Sequence, residues 1–157
     1  MTMDDFVSGK KPPMVLGTRS HHLAMFVVYL SPLQMVADWP GAYRGAAGSE
    51  FLKTVPASWD ETLPLAGEIG DYVVVARRKG NDWFLGGMTD NTPREIEIST
   101  SFLDNEKGYQ AIIYQDTPNS GENPTELEVV QRDFTATDSL TIKMAAGGGI
   151  AVYLKRK

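Results

Sequence analysis

The chain has 157 residues, 42% apolar and 22% charged, with a formal net charge of −5 and no cysteine. That size and balance suit one folded domain with a real core and argue against disorder. The acidic balance argues against nucleic acid as a partner, because phosphate binding runs on a basic surface, and without cysteine there are no disulfides, thiolate nucleophiles or cysteine-rich metal sites.

Met1 to Gly17 carries Asp4 and Asp5 and lacks a sustained apolar run, so it does not read as a targeting segment. Leu23, Phe26, Val27 and Leu30 then recur at i, i+3, i+4 and i+7, the stripe of a helix. Ala24, Met25 and Val28 widen the stripe until little polar face remains, which predicts burial on most sides. Thr18 or Ser20 is the expected N-cap. The run is far short of the roughly 20 residues that span a bilayer, so a soluble chain with no membrane partner is expected. Ser31-Pro32 reads as a second helix start, with a short helix over Leu33 to Ala37. Asp38-Trp39-Pro40-Gly41 is a turn signal, and Ser49 to Val55 makes one more helical turn. These segments form a helical part over residues 1–54.

From Val55 the period changes. Tyr72 to Ala76 is β-branched and apolar on both faces, as in a central strand. Lys79-Gly80-Asn81-Asp82 is a hairpin turn, and Trp83 to Met88 returns beside it. Glu95 to Ile98 alternates strictly, so one face is wet. In the next strand Tyr109, Ala111 and Ile113 share one face, and Ile112 and Tyr114 the other. Leu127 to Arg132, Leu140 to Met144 and Ile150 to Leu154 complete the series. The expected fold is mainly β: an antiparallel β-sandwich of seven or eight strands over 55–157, preceded by one long and one or two short helices.

Few residues carry a chemical signal. His21-His22 lacks the i, i+4 spacing of a metal pair on a helix. Gly147-Gly148-Gly149 lacks the Lys-Ser/Thr of a phosphate loop and precedes a strand, so it reads as a tight turn. Asp116 to Pro124 is rich in Asp, Asn, Ser and Gly but lacks a calcium-loop pattern. Asp60 and Glu61 are adjacent, so on a strand they point to opposite faces and cannot act as a pair on one bond. The expected reading is that one is solvated and the other fixes the Val55-Pro56 entry by hydrogen bonds; the alternative is a contact at the rim with a sugar or a barrel. Trp83 and Tyr72 read as core. Trp39 and Trp59, with Asp60 and Glu61, are the candidate carbohydrate or interface contacts. No catalytic or metal-ligating residue is assigned.

Several blocks resemble glycoside hydrolase family 97. Thr18-Arg19-Ser20-His21-His22-Leu23-Ala24-Met25-Phe26-Val27-Val28-Tyr29, Ser31-Pro32-Leu33-Gln34-Met35 and Ala37-Asp38 look like the end of its catalytic barrel. Phe51-Leu52-Lys53, Trp59-Asp60-Glu61-Thr62, Gly67-Glu68-Ile69-Gly70 and Tyr72 through Gly80 look like the start of its C-terminal domain, and Gly86-Gly87-Met88-Thr89-Asp90, Asn123-Pro124-Thr125 and Gly147-Gly148-Gly149 follow in order. The resemblance implies α-glucosidases or α-galactosidases, often periplasmic or secreted, with an N-terminal β-sandwich, a (β/α)₈ barrel holding the active site and a calcium ion, and a C-terminal β-sandwich linked to oligomerisation. Met3-Asp4-Asp5-Phe6-Val7 shares only the first two residues of the family's Met-Asp-Tyr-Thr-Pro motif. The family's catalytic and calcium-binding carboxylates lie upstream in the barrel, and none is carried onto this chain.

The expectation is therefore a non-catalytic structural and oligomerisation module that binds no cofactor of its own. It would form a homo-oligomer, or a complex with a barrel-bearing chain, through the Leu23 to Leu30 helix. The alternative is a stand-alone carbohydrate-binding sandwich, which predicts a row of exposed aromatics on one sheet face.

Overall fold

A computed structural model describes residues 15–36 and 38–157. The sequence signals at Asp4-Asp5, Met3 to Val7 and Ala37 lie outside the described residues. Two α-helices, α1 (Arg19–Val28) and α2 (Ser49–Thr54), precede eight strands: β1 (Glu61–Glu68), β2 (Tyr72–Lys79), β3 (Asp82–Thr89), β4 (Arg94–Ser99), β5 (Tyr109–Gln115), β6 (Glu128–Phe134), β7 (Ser139–Met144) and β8 (Gly149–Arg156). A single 3₁₀ turn, Pro40–Tyr43, separates the helices.

The strands form a six-stranded antiparallel sheet, ordered β1-β2-β3-β8-β5-β6, and a two-stranded sheet of β4 and β7. The main core lies between them. Side chains that alternate along β2, β3, β5 and β8 (Val74, Leu85, Tyr109, Ala111, Ile113, Ile150 and Val152) meet Ile98, Leu140, Ile142 and Met144 of the small sheet. The opposite side chains of the same strands, Phe84, Tyr114 and Ala151, meet Leu23, Val27 and Phe51 of the helices. Period-2 alternation with both faces apolar thus places the large sheet in the middle of three layers.

α1 begins where the sequence predicts: the Thr18 side chain accepts from the His21 N–H at 3.2 Å. Its burial differs from the expected all-round cover. Only Ser20, Leu23, Ala24 and Val27 are buried, one stripe at helical spacing. The sheet supplies the partner for that stripe, so the Leu23 to Leu30 helix is not the uncovered association surface that the sequence suggests. Close approach is possible because β3 offers Gly86 there. A Cβ at Gly86 would lie 2.8 Å from Val27 Cβ and 3.0 Å from the Ala24 carbonyl oxygen.

The short helix expected over Leu33 to Ala37 does not form; Leu33 to Val36 is irregular. No described residue covers its apolar side chains, with Leu33 77% and Met35 81% exposed. A five-residue helix without tertiary packing cannot offset its nucleation cost. β1, which sequence patterning did not single out, is an edge strand interrupted by Pro64, with a register shift between Pro64 and Ala66.

Candidate interaction surface

Trp59, Asp60 and Glu61 converge on the β2–β3 hairpin. Its two-residue loop, Gly80-Asn81, places Gly80 at φ +59°, as a Gly-first hairpin turn requires. One Asp60 carboxylate oxygen accepts the Gly80 N–H at 2.7 Å, and the other meets Lys79 Nζ at 3.1 Å. The Gly80 hydrogen bond first, and Lys79 second, hold the Asp60 carboxyl below its usual range. Glu61 pairs with Arg78, its cross-strand neighbour, at 2.9 Å. Both carboxylates therefore brace the hairpin turn, rather than the Val55-Pro56 segment. Trp59 is half-buried, edge to face with Phe84 at 5.3 Å and 5.7 Å from the Arg77 guanidinium.

Trp39 sits apart from these three and is 70% exposed. Its ring lies over Gly41, where a Cβ would fall 1.8 Å from it. It ends an apolar strip that starts at the C-terminus of α1: Tyr29, Leu30, Leu33, Met35, Val36 and Trp39 are all exposed. Beside the strip is a hollow of about 400 Å³, lined by Phe26, Gln34, Val36, Pro40, Tyr43 and Leu52 among others.

At the root of the strip is a residue that sequence reasoning missed. Arg77 is 4% exposed on β2, and its Nη2 donates to the Val28 carbonyl at the end of α1, 3.1 Å away. A cation there complements the helix dipole. Arg77 Nε and Nη1 are buried without hydrogen-bond partners, and burial pulls the guanidinium pKa below its usual value. The available signal was an arginine directly following the apolar run Tyr72 to Ala76.

A second hollow, of about 250 Å³, lies between the β2–β3 turn and the loop before β5. Its arginines are paired internally, Arg78 with Glu61 and Arg156 with Asp104 at 3.5 Å. Trp83, on its wall, is 4% exposed and offers no open ring face. No strand among the described residues carries an exposed aromatic side chain, so the aromatic row that a carbohydrate-binding sheet face needs is not found there.

The histidines are structural. His21 Nδ1 meets the Gly148 carbonyl at 3.1 Å and His22 Nε2 the Leu16 carbonyl at 3.1 Å. Gly147-Gly148-Gly149 is the tight turn that leads into β8, with Gly147 at φ +62°. Among the described residues no three His, Asp or Glu side chains gather as metal ligands.

Tyr153 gives a pH test of the hairpin–β8 contact. It stacks on Phe84 at 4.9 Å, and its hydroxyl donates to Asp82 Oδ2 at 2.7 Å. Burial first, and the Asp82 hydrogen bond second, push its phenol up to about 12. The folded state thus holds this proton more tightly than the unfolded chain does. The resulting stabilisation is complete below the ordinary value of 10.0 and is lost as the pH rises toward about 12. Unfolding midpoints measured from pH 9 to 12 are expected to fall less steeply in Tyr153→Phe than in the parent chain; parallel profiles would refute the contact.

The family model described as "Glycosyl-hydrolase 97 C-terminal, oligomerisation" matches residues 58–155. A retaining alpha-galactosidase of Bacteroides thetaiotaomicron is 38% identical over 144 residues, 91% of this chain and 22% of that protein. A glycoside hydrolase family 97 enzyme from Pseudoalteromonas sp. strain K8, solved in complex with acarbose, superposes with a TM-score of 0.86 at 42% identity, over 90% of this chain and 23% of the other. A beta-arabinopyranosidase structure, at 24% identity and a TM-score of 0.73 over 90% of this chain and 22% of the other, shares the fold. The chain spans less than a quarter of the length of these relatives. No helix among the described residues is long and apolar enough to cross a membrane. The match falls on the C-terminal oligomerisation part of these enzymes and leaves out their catalytic domain, and the chain belongs to glycoside hydrolase family 97 as that C-terminal domain.

Proposed function

We propose that this chain is a scaffold for a family 97 α-glycoside hydrolase, seating a catalytic domain on the Tyr29–Trp39 strip and associating with further copies of itself. The strip carries the seating. Six large apolar side chains, exposed and clustered in one short segment, mark an interaction site. On this reading residues 1–54 form the end of the catalytic barrel and 55–157 the oligomerisation domain. The substrate class of the whole protein is α-galactosides or α-glucosides. A relative named a retaining alpha-galactosidase and relatives solved with acarbose and panose support it.

The chain contributes no chemistry in this reading. Glycoside hydrolysis needs two carboxyls about 5–9 Å apart across one bond, whereas Asp60 and Glu61 are engaged by Gly80, Lys79 and Arg78. Assays with nitrophenyl α-glucoside and α-galactoside plus calcium are expected to show no turnover. Turnover that disappears in Glu61→Gln would overturn the assignment. The strip is tested separately with a dye that fluoresces on apolar surfaces. Its signal is expected to drop at least about threefold when Leu30, Leu33, Met35 and Trp39 are all changed to serine. An unchanged signal would place the exposed apolar surface elsewhere.

A further inference from the structure

The large sheet has two edges, and only one is guarded. β1 carries Pro64 and a register shift, devices that stop a further strand from pairing. β6 has neither. Among the described residues, Glu128–Phe134 makes no backbone hydrogen bond outside its ladder with β5, and Val129 is 45% exposed. Its outer row of N–H and C=O groups is open to another strand.

The side chains on this edge select the partner. Glu128, Val130, Arg132 and Phe134 share one face, opposite Gln115, Ile113, Ala111 and Tyr109 of β5. In an antiparallel pair of two β6 strands with a two-fold axis at Val130, Glu128 of one copy stands opposite Arg132 of the other. Symmetry repeats that pair across the axis, and on the other face Val129 meets Gln131. Arg132 makes no salt bridge within the described residues and stacks at 4.8 Å on Phe134. Glu128 is exposed and is held only by half-buried Gln115, at 2.8 Å.

The other free edges lack this match. On β4 an axis at Ile96 sets Glu95 against Glu97, like against like. β7 presents Lys143 but no acid on its exposed face.

We infer that two copies of this chain associate by antiparallel pairing of their β6 edges about a two-fold axis at Val130, with reciprocal Glu128–Arg132 ion pairs, to make one continuous twelve-stranded sheet. The inference rests on the self-association reading above and names its surface. A single strand edge is small beside the roughly 1,600 Å² of a standard interface, so the dimer should be concentration-dependent.

Sedimentation equilibrium on the chain with the four strip serines removes association through Tyr29–Trp39 and isolates the edge. A monomer–dimer equilibrium is expected. Glu128→Arg places like charges opposite each other twice and should weaken the dimer at least about tenfold, as should Arg132→Glu; combining the two should bring the dissociation constant back to within about threefold of the starting value. Both positions are exposed, and unchanged circular dichroism will confirm folding. A dimer indifferent to the single reversals, or not rescued by the swap, overturns the β6 assignment and leaves self-association standing. A monomer in both the serine-substituted and the parent chain overturns both.

Discussion

Replacing Gly86 with alanine should destabilise the chain by about 1–3 kcal/mol, and with valine by more. The added Cβ lies 2.8 Å from Val27 Cβ, 3.0 Å from the Ala24 carbonyl and 3.1 Å from Val28 Cγ2. One of these atoms is helix backbone, and Val27 and Ala24 are fully buried, so neither can swing aside. The helix must translate away from β3 and β8. Strand propensity works in the opposite direction, since both substitutions suit a strand better than glycine, but that gain stays below about 1 kcal/mol. The clash therefore wins. Urea unfolding gives the loss, and hydrogen exchange locates it: Leu23 to Val28 should lose protection before β5 and β8 do. Equal stability with full helix protection would mean that α1 does not rest on the sheet as closely as described. If the strip is seated through α1, Gly86→Ala should also weaken docking without touching a strip residue.

The sandwich was legible in the sequence because it is written in local period. Tyr109, Ala111 and Ile113 were assigned to one face of β5 and Ile112 and Tyr114 to the other, and those sets line the main core and the helix-side core. Glu95 to Ile98 predicted one wet face, and β4 has one. Legibility failed where a partner far along the chain decides the outcome. The α1 helix looked apolar all round, but a sheet can cover only one stripe of it. Leu33 to Ala37 looked helical because Ser-Pro starts helices, yet no packing surface among the described residues lies over Leu33 and Met35. Pro64 hid β1, since proline is tolerated in a strand only at an edge, and edges are not visible in sequence. One of Asp60 and Glu61 was legible as a bracing carboxylate and the other was read as solvated, whereas both are engaged and the braced turn lies at Gly80, about one hairpin away. Arg77 was missed for the same reason, because its hydrogen-bond partner is Val28, 49 residues upstream. The exposed strip was partly legible: Trp39 stood out beside Pro40-Gly41, but Leu30, Leu33 and Met35 were counted as helix.

Asp116→Ala is the second change expected to cost heavily, about 2–4 kcal/mol. Asp116 follows β5 and is 8% exposed. Its Oδ2 accepts the Ala145 N–H at 3.0 Å and the Gly149 N–H at 3.1 Å, on both sides of the glycine turn between β7 and β8. Gly148 must be glycine for this, since a Cβ there would lie 2.1 Å from the carboxylate. The same turn holds the start of α1, because Thr18 N–H donates to the Gly147 carbonyl at 3.1 Å and the His21 ring meets the Gly148 carbonyl. One carboxylate thus joins β5 to the β7–β8 turn, and that turn to the helix. Alanine leaves two sequestered N–H groups without an acceptor, and a buried unsatisfied donor costs more than a hydrogen bond gains. Asparagine keeps an acceptor oxygen and should recover at least half of the loss. It also tests Oδ1, which is buried without a partner: an amide N–H₂ there has the same shape but needs an acceptor. The expected order of urea midpoints is parent, asparagine, alanine. An alanine variant within about 0.5 kcal/mol of the parent, the range of ordinary surface changes, would mean that water takes over both donors and that the turn is wetter than its burial implies.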